Sequence, residues 1–450
     1  MRATLAPILA FTAALSFFCT MSVAQQQQPS QQPPFGSFER ERAELMLDNV
    51  ASDVKKHYYD PKFHGIDWDA RVREAKEKID KSTSQNAALS HIAGALSALD
   101  DSHTFFLPPS RPYVLDYGLE FQMIGDHCFV TRVRPGSDAE SKGIKAGDEV
   151  LDVGGFQPTR DNLWQMDYVL HTLRPQLSLR LNLKDPAGTT RPVEAMAKFR
   201  ELRHIKDLTA SGGGADIWDI YRAGEEARRL QRARTQEFGD DLMILKFPIF
   251  AFNQSEIEDI MNRARKHKAL IIDLRENGGG SVETLKYLAE NIFEGEVKIA
   301  DRVSRKDTKP LLEKYHSRNP YGGKLAVLVD SRSASASEIF ARAVQLEKRG
   351  AIMGDHSSGS VMESIRNSYS TGQGVMVFYG ASITEADVIM SDGKSLEHVG
   401  VIPDETVLPT ASDMASGRDP VLAHAAETMG VKMTPEAAGK LFPYEWPKVE

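Results

Sequence analysis

The stretch from Ser331 to Ala343, SRSASASEIFARA, sets four serines at alternating positions just ahead of an apolar run with helical spacing. Two chemistries compete for it. Ser335 and Glu338 have the spacing of a capping box, in which a Ser and a Glu three residues on satisfy the free N–H groups that open a helix. Yet Ser335 also stands where a buried strand, KLAVLVD (324–330), runs into that helix. Such a place exposes a hydroxyl and backs it with free helix N–H groups, as an acyl-transfer nucleophile requires. Acyl transfer also needs a base and N–H donors for the oxyanion. A second strand end, DLRENGGG (273–280), supplies donors, because Gly278, Gly279 and Gly280 present backbone N–H groups with no side chain in the way. A glycine run after a strand could equally cradle phosphate, but no Gly-Lys-Ser/Thr follows it.

The elements that would position these groups alternate from Leu242 onward. LMILKFPIF reads as a strand, QSEIEDIMNRARK as a helix, ALIIDLR as a buried strand, SVETLKYLAENIF as a helix and KLAVLVD as another buried strand. This is an α/β layer pattern, with functional groups expected at the C-terminal ends of the strands. Ahead of it, residues 38–99 are helical. Ala43, Leu47, Val50 and Val54 line one face, a second helix carries Trp68 and Val72, and a third runs from a Ser84 cap through Leu89, Ile92, Leu96 and Leu99. Pro108 and Pro109 close the segment DDSHTFFLPP, which leaves His103 in a loop directly after a buried helix.

Between these regions, residues 113–205 change to short β-type runs: 118–124, 128–133, 149–153 and 177–183. With the helix, glycine stop and Gly-Asp turn of SDAESKGIKAGDEVLDVGG, they resemble a PDZ domain. That resemblance implies a peptide-binding loop at Gly118, Leu119, Glu120 and Phe121, which receives a C-terminal carboxylate on backbone N–H groups. Residues 206–240 hold the charged stretch RAGEEARRLQRARTQEF, read as a solvated helix whose arginines could touch an acidic partner.

The 450-residue chain is long enough for two or three domains, and its net charge of −8 argues against a nucleic-acid binder. Residues 1–24 combine a basic start, an apolar stretch and Ser22-Val23-Ala24. They read as a secretory signal cleaved after Ala24, with an uncleaved anchor as the alternative. The Gln/Pro-rich segment 25–37 reads as a flexible tether. Cys128 is then the single thiol of the mature chain and reads as a small buried hydrophobe. No later segment is apolar for long enough to span a bilayer. The expected protein is exported, to the periplasm or the cell exterior.

DLRENGGG, VLVDSRSASASEIFARAVQ, GDHSSGS and LEHVGVIPDE, with the PDZ-like region and LDDSHTFF upstream, together resemble the C-terminal processing and tricorn-type serine peptidases over nearly all of the chain after residue 38. The resemblance implies a multidomain α/β protein: a helical region (38–112), a PDZ domain (113–205), a charged insertion (206–240) and a crotonase-like catalytic domain (241–450). It implies peptide-bond hydrolysis of polypeptides, reached through their free C-termini, with no metal or cofactor. The lysine of the C-terminal processing branch is absent, because Ser360 stands at its position. The tricorn-like branch then maps Ser335 as nucleophile, His103 as base, Glu397 as the residue that orients the base, and Gly279, Gly280 and Ala336 as oxyanion donors. A direct Glu397–His103 pair would raise the imidazole pKa. His356 is a rival base, four residues before Ser360. Two other readings stand beside hydrolysis: a PDZ scaffold on a degenerate peptidase fold, and a hydrophobic-ligand binder. Oligomeric state is left open.

Overall fold

The computed structural model describes residues 35–111, 113–201, 225–313, 319–372 and 376–447. The expected signal peptide, most of the tether and residues 206–224 of the charged segment lie outside these. Among the described residues, no helix is long and apolar enough to cross a membrane.

Three helices open the described chain: α1 (Ser37–His57), α2 (Trp68–Asp80) and α3 (Gln85–Ser97). The stripe expected on α1 is buried, with Ala43, Leu47, Val50 and Val54 at 4 % exposure or less. Ser84 caps α3 by accepting the Ala87 N–H at 3.2 Å. These helices close over Tyr379, Ala381 and Ile383, from a strand near the other end of the chain. Each large apolar side chain buried there contributes about 1.5–3 kcal/mol, so the helical region is bound to distant sequence by its own core. β1 (Phe105–Leu107) completes the attachment by pairing antiparallel with residues 380–382. That pairing carries the His103 loop across the molecule.

The next region forms an antiparallel sheet in chain order: β3 (Leu119–Ile124), β4 (His127–Val133), β5 (Glu149–Val153), β6 (Ser178–Lys184) and β7 (Thr190–Met196), with helix α4 (Leu163–Tyr168) beside it. β2 (Tyr113–Asp116) and β8 (Lys198–Glu201) pair at its root, so the chain enters and leaves side by side. β3 is an edge strand of this sheet.

Beyond it, strands and helices alternate as β9 (Arg234–Phe238), β10 (Leu242–Lys246), α5 (Gln254–Ala264), β11 (Ala269–Asp273), α6 (Val282–Glu290), β12 (Val297–Ser304), β13 (Thr308–Glu313), β14 (Lys324–Val329), α7 (Ala336–Leu346), β15 (Ala351–Gly354), β16 (Met362–Thr371), β17 (Val377–Met390), β18 (Glu405–Thr406) and α8 (Pro420–Thr428). The six-stranded sheet runs β18-β15-β14-β11-β10-β9, parallel except for the β9 edge. Met243 and Leu245 face α5, α6 and α7, whereas Leu242 and Ile244 face α8. Burial on both faces is why these strands read as unbroken apolar runs.

Two features depart from the sequence expectation. The charged segment is helical at 225–231 but then turns into β9, and its arginines meet an acidic partner within the chain, as Arg229 and Arg232 pair with Glu445. A second sheet, β1-β17-β12-β13 with β16 added on β17, was not anticipated.

Candidate active site

Hydroxyl bookkeeping separates the four alternating serines. Ser331 donates to Met123 O at 2.6 Å, Ser333 to Leu274 O at 2.8 Å and Ser337 to Asn277 O at 2.9 Å. Ser335 Oγ makes no cap hydrogen bond, and the Glu338 N–H goes instead to Ser335 O at 2.9 Å. The capping box is therefore completed from the glutamate side, whose carboxylate accepts the Ser335 N–H at 3.0 Å. Ser335 sits at φ +56°, ψ −120°. A non-glycine residue persists there only when its surroundings over-determine it, a strain characteristic of functional turns.

Two amide sources flank this hydroxyl. A Cβ added at Gly279 would meet Ser335 Cβ at 2.7 Å and Ala336 N at 2.9 Å, so the glycine turn lies directly against the α7 N-terminus. The Gly279 N–H, however, donates to Asn277 Oδ1 at 2.8 Å. Of the glycine-run and α7 N-terminal amides, those of Gly278, Gly280 and Ala336 have no protein partner among the described residues. The expected Gly279 donor is thus committed elsewhere, and its neighbours are free.

His103 and Glu397 are brought together, but not in direct contact. Ser102 lies between them. Its Oγ is 2.7 Å from His103 Nδ1 and 2.9 Å from Glu397 Oε2, and its N–H donates to Glu397 Oε1 at 2.7 Å. An ionised carboxylate only accepts, so the single Ser102 proton points to Glu397 and Nδ1 must donate to Ser102. That tautomer leaves Nε2 with a lone pair, as a base requires. Burial lowers the His103 pKa, the reverse of what a direct carboxylate pair would do. Burial raises the Glu397 carboxyl in spite of its N–H donors, Ser102 and Val361. Asp101 holds the loop itself, accepting the His103 and Thr104 N–H groups at 2.9 and 2.7 Å.

The loop 357–361 links the Ser335 turn to Glu397, through the Ser335 N–H bond to Ser360 O at one end and Val361 N–H at the other. Glu338 accepts from Ser357 Oγ, Gly359 N and Ser360 N on one side, and Glu397 accepts from Val361 N on the other. Among the described residues, no hydrogen bond joins Ser335 Oγ to His103 directly. The rival base His356 uses Nε2 on Val399 O at 2.5 Å. Cys128 is buried, which pushes its thiol up to about 12.

A cavity of about 700 Å³ joins this centre to the β-domain. Leu119 and Phe121 of β3, Asp167 and His171 line it together with Gly278 and Ser360. The Gly118 N–H is taken by Asp116 at 2.9 Å. The Glu120 side chain bonds Arg332 at 3.0 Å and Tyr444 at 2.5 Å. Arg332 also holds Phe121 O at 2.7 Å, so the turn leading to Ser335 is tied to the outer edge of β3.

Residues 241–407 match peptidase family S41, and residues 38–87 match the tricorn protease C1 domain. The chain carries an S41 peptidase domain. It is a serine peptidase by class. It is 26 % identical over 387 residues to the chloroplastic C-terminal processing peptidase of Tetradesmus obliquus, covering 79 % of this chain and 76 % of that protein. Identity to the tail-specific protease of Haemophilus influenzae is also 26 %, over 58 % of this chain and 36 % of that one. The putative tricorn protease homolog 2 of Streptomyces coelicolor is 23 % identical, over 84 % of this chain and 31 % of that one. The structure of mature CPAF complexed with lactacystin superposes with a TM-score of 0.62 at 17 % identity, covering 84 % of this chain and 96 % of that chain, a likeness of fold.

Two residues at the centre of this candidate site escaped sequence reasoning. Ser102 sits inside the quoted DDSHT motif, but no spacing rule marks a serine adjacent to a histidine. Glu338 was legible only as a helix cap. His398, held at φ +58° with Nε2 on Asp100 O at 2.9 Å, also borders the cavity and carried no signal.

Proposed function

We propose that this chain is an exported endopeptidase that cleaves polypeptides by acyl transfer to Ser335, with His103 as base and with Ser102 and Glu397 as the relay that orients it. The observation that carries the reading is the chain of hydrogen bonds from Glu397 through Ser102 to His103, tied through the loop 357–361 to the one serine of its motif whose hydroxyl is free. In this mechanism Ser335 Oγ attacks the scissile carbonyl while His103 Nε2 takes its proton. The imidazolium, stabilised through Nδ1–H, Ser102 and Glu397, gives that proton to the leaving amine as the C–N bond breaks, and water activated by the same imidazole then hydrolyses the acyl-enzyme and frees Ser335. Negative charge on the tetrahedral oxygen falls to Ala336 N–H and to the free amides of Gly278 and Gly280. Substrate must draw Ser335 and His103 into hydrogen-bond reach, since catalytic contacts often tighten only in the complex.

The β-domain serves in this reading as a PDZ-type receptor for substrate C-termini. The position of β3 at the sheet edge, and a cavity lined by Leu119, Phe121, Asp167 and His171 as well as by Gly278 and Ser360, support that role. A strand added to β3 would compete with Arg332 for Phe121 O, which couples receptor occupancy to the turn before the nucleophile. The signal-like residues 1–24 support export. The reading is tested by digesting a denatured protein mixture with wild type and Ser335→Ala and identifying the products. Cleavage by the wild type only is expected. Equal cleavage by both contradicts the proposal, and no cleavage by either favours a binding scaffold.

A further inference from the structure

Glu338 is fully buried, yet it bears no ion pair among the described residues. Its carboxylate is filled by donors from two segments. Oε1 accepts Ser357 Oγ at 2.6 Å and Gly359 N at 2.7 Å, while Oε2 accepts Ser335 N and Ser360 N at 3.0 Å each. An ordinary capping glutamate satisfies one amide at a solvated helix start. This one does more. It holds the amide of the residue with the left-handed backbone, and it pins the loop whose next residue, Val361, is held by Glu397. The Ser335 N–H is shared with Ser360 O at 2.9 Å, so the serine turn and the loop are locked to each other as well as to Glu338.

We propose that Glu338 is a positioning residue for hydrolysis: its carboxylate sets the Ser335 backbone and registers the nucleophile half of the site against the base half through the loop 357–361. The inference rests on Ser335 being the nucleophile. Glu338 does not touch substrate, and it transfers no proton. It acts by holding in place, at no reorganisation cost, a turn the backbone would otherwise leave. Burial pushes its carboxyl up to about 7, and the four donors work against that rise.

Glu338→Gln separates this role from packing. Glutamine has the same shape, but its NH₂ group must face one pair of donors whichever way the amide is placed, so the acceptor is lost and the volume is kept. The full-length protein is compared as wild type, Glu338→Gln, Ser357→Ala and Ser335→Ala. The readouts are fluorophosphonate labelling rate, kcat and KM on a peptide substrate, and thermal unfolding. The expectation for Glu338→Gln is a fall of about thirtyfold or more in kcat and in labelling rate, with KM within threefold and a cooperative unfolding transition. Ser357→Ala, which removes one donor, should lower kcat about five- to tenfold, and it decides the matter should Glu338→Gln fail to fold. A folded Glu338→Gln with kcat and labelling within threefold of wild type overturns the proposal, as does an unchanged Ser357→Ala where the glutamine variant does not fold. Activity surviving in Ser335→Ala would instead remove the nucleophile assignment on which the proposal stands.

Discussion

Replacing Ser102 with alanine removes one oxygen and breaks the relay at its midpoint. The magnitude follows from the geometry. Ser102 Oγ makes two short bonds, to His103 Nδ1 and to Glu397 Oε2, while its N–H bond to Glu397 Oε1 survives the change. Glu397 also keeps Val361 N–H, so the loops stay in place and the cost falls on the imidazole. A hydrogen bond that communicates with a charged group is worth about 1.5–3 kcal/mol, and about 1.4 kcal/mol is tenfold in rate. The variant should therefore lose about 10- to 150-fold in kcat, with KM changed less than threefold. The assay is steady-state hydrolysis of a quenched fluorescent peptide drawn from an identified cleavage site, with circular dichroism to show that the fold is kept. A folded Ser102→Ala with kcat within twofold of wild type would refute the relay, because His103 would then work without its connection to Glu397.

The acid limb of kcat/KM should lie below the reference imidazole value of about 6.5, because burial lowers the His103 pKa against the pull of Asp101. The neutral ring is the active form, so activity rises with pH through that limb and then levels, and a midpoint above pH 7 contradicts this. His356→Ala should lower kcat less than threefold, since that ring is spent on Val399 O; a loss above a hundredfold would make His356 the base. Peptides with a free C-terminal carboxylate should bind the variant Ser335→Ala, which lacks the nucleophile, more tightly than their amides by calorimetry, and equal affinities count against a carboxylate receptor at the β3 groove.

Much of the architecture was legible because burial leaves a periodic trace. The α1 stripe and the two-faced strands β10, β11 and β14 show their periods directly, and their cores are where those periods place them. The second sheet left no such trace. β12 (VKIADRVS) and β16 (MESIRNSYST) mix charged and polar residues into both faces, and β1 is three residues long with its partner far along the chain, in the register Phe105–Ser382. Pairing at that separation is a property of the fold and has no local signature. The site divides the same way. Ser335 announces itself by its strand-to-helix position, whereas Ser102, Glu338 and the commitment of the Gly279 amide to Asn277 depend on which groups the fold brings within 3 Å. The charged arginines of the 225–232 segment looked like a solvated face, but they and Arg134 clamp the chain's own Glu445, Trp446 and Pro447.

The central claim is that Ser335 is an activated nucleophile. It is tested most directly by reacting the full-length protein with a fluorophosphonate and mapping the adduct by mass spectrometry, in wild type and in His103→Ala. Labelling should approach one adduct per chain, fall on the peptide containing Ser335, and slow by about a hundredfold or more in His103→Ala. An adduct on Ser331, Ser333 or Ser337, or labelling of Ser335 at the same rate without His103, would contradict the account.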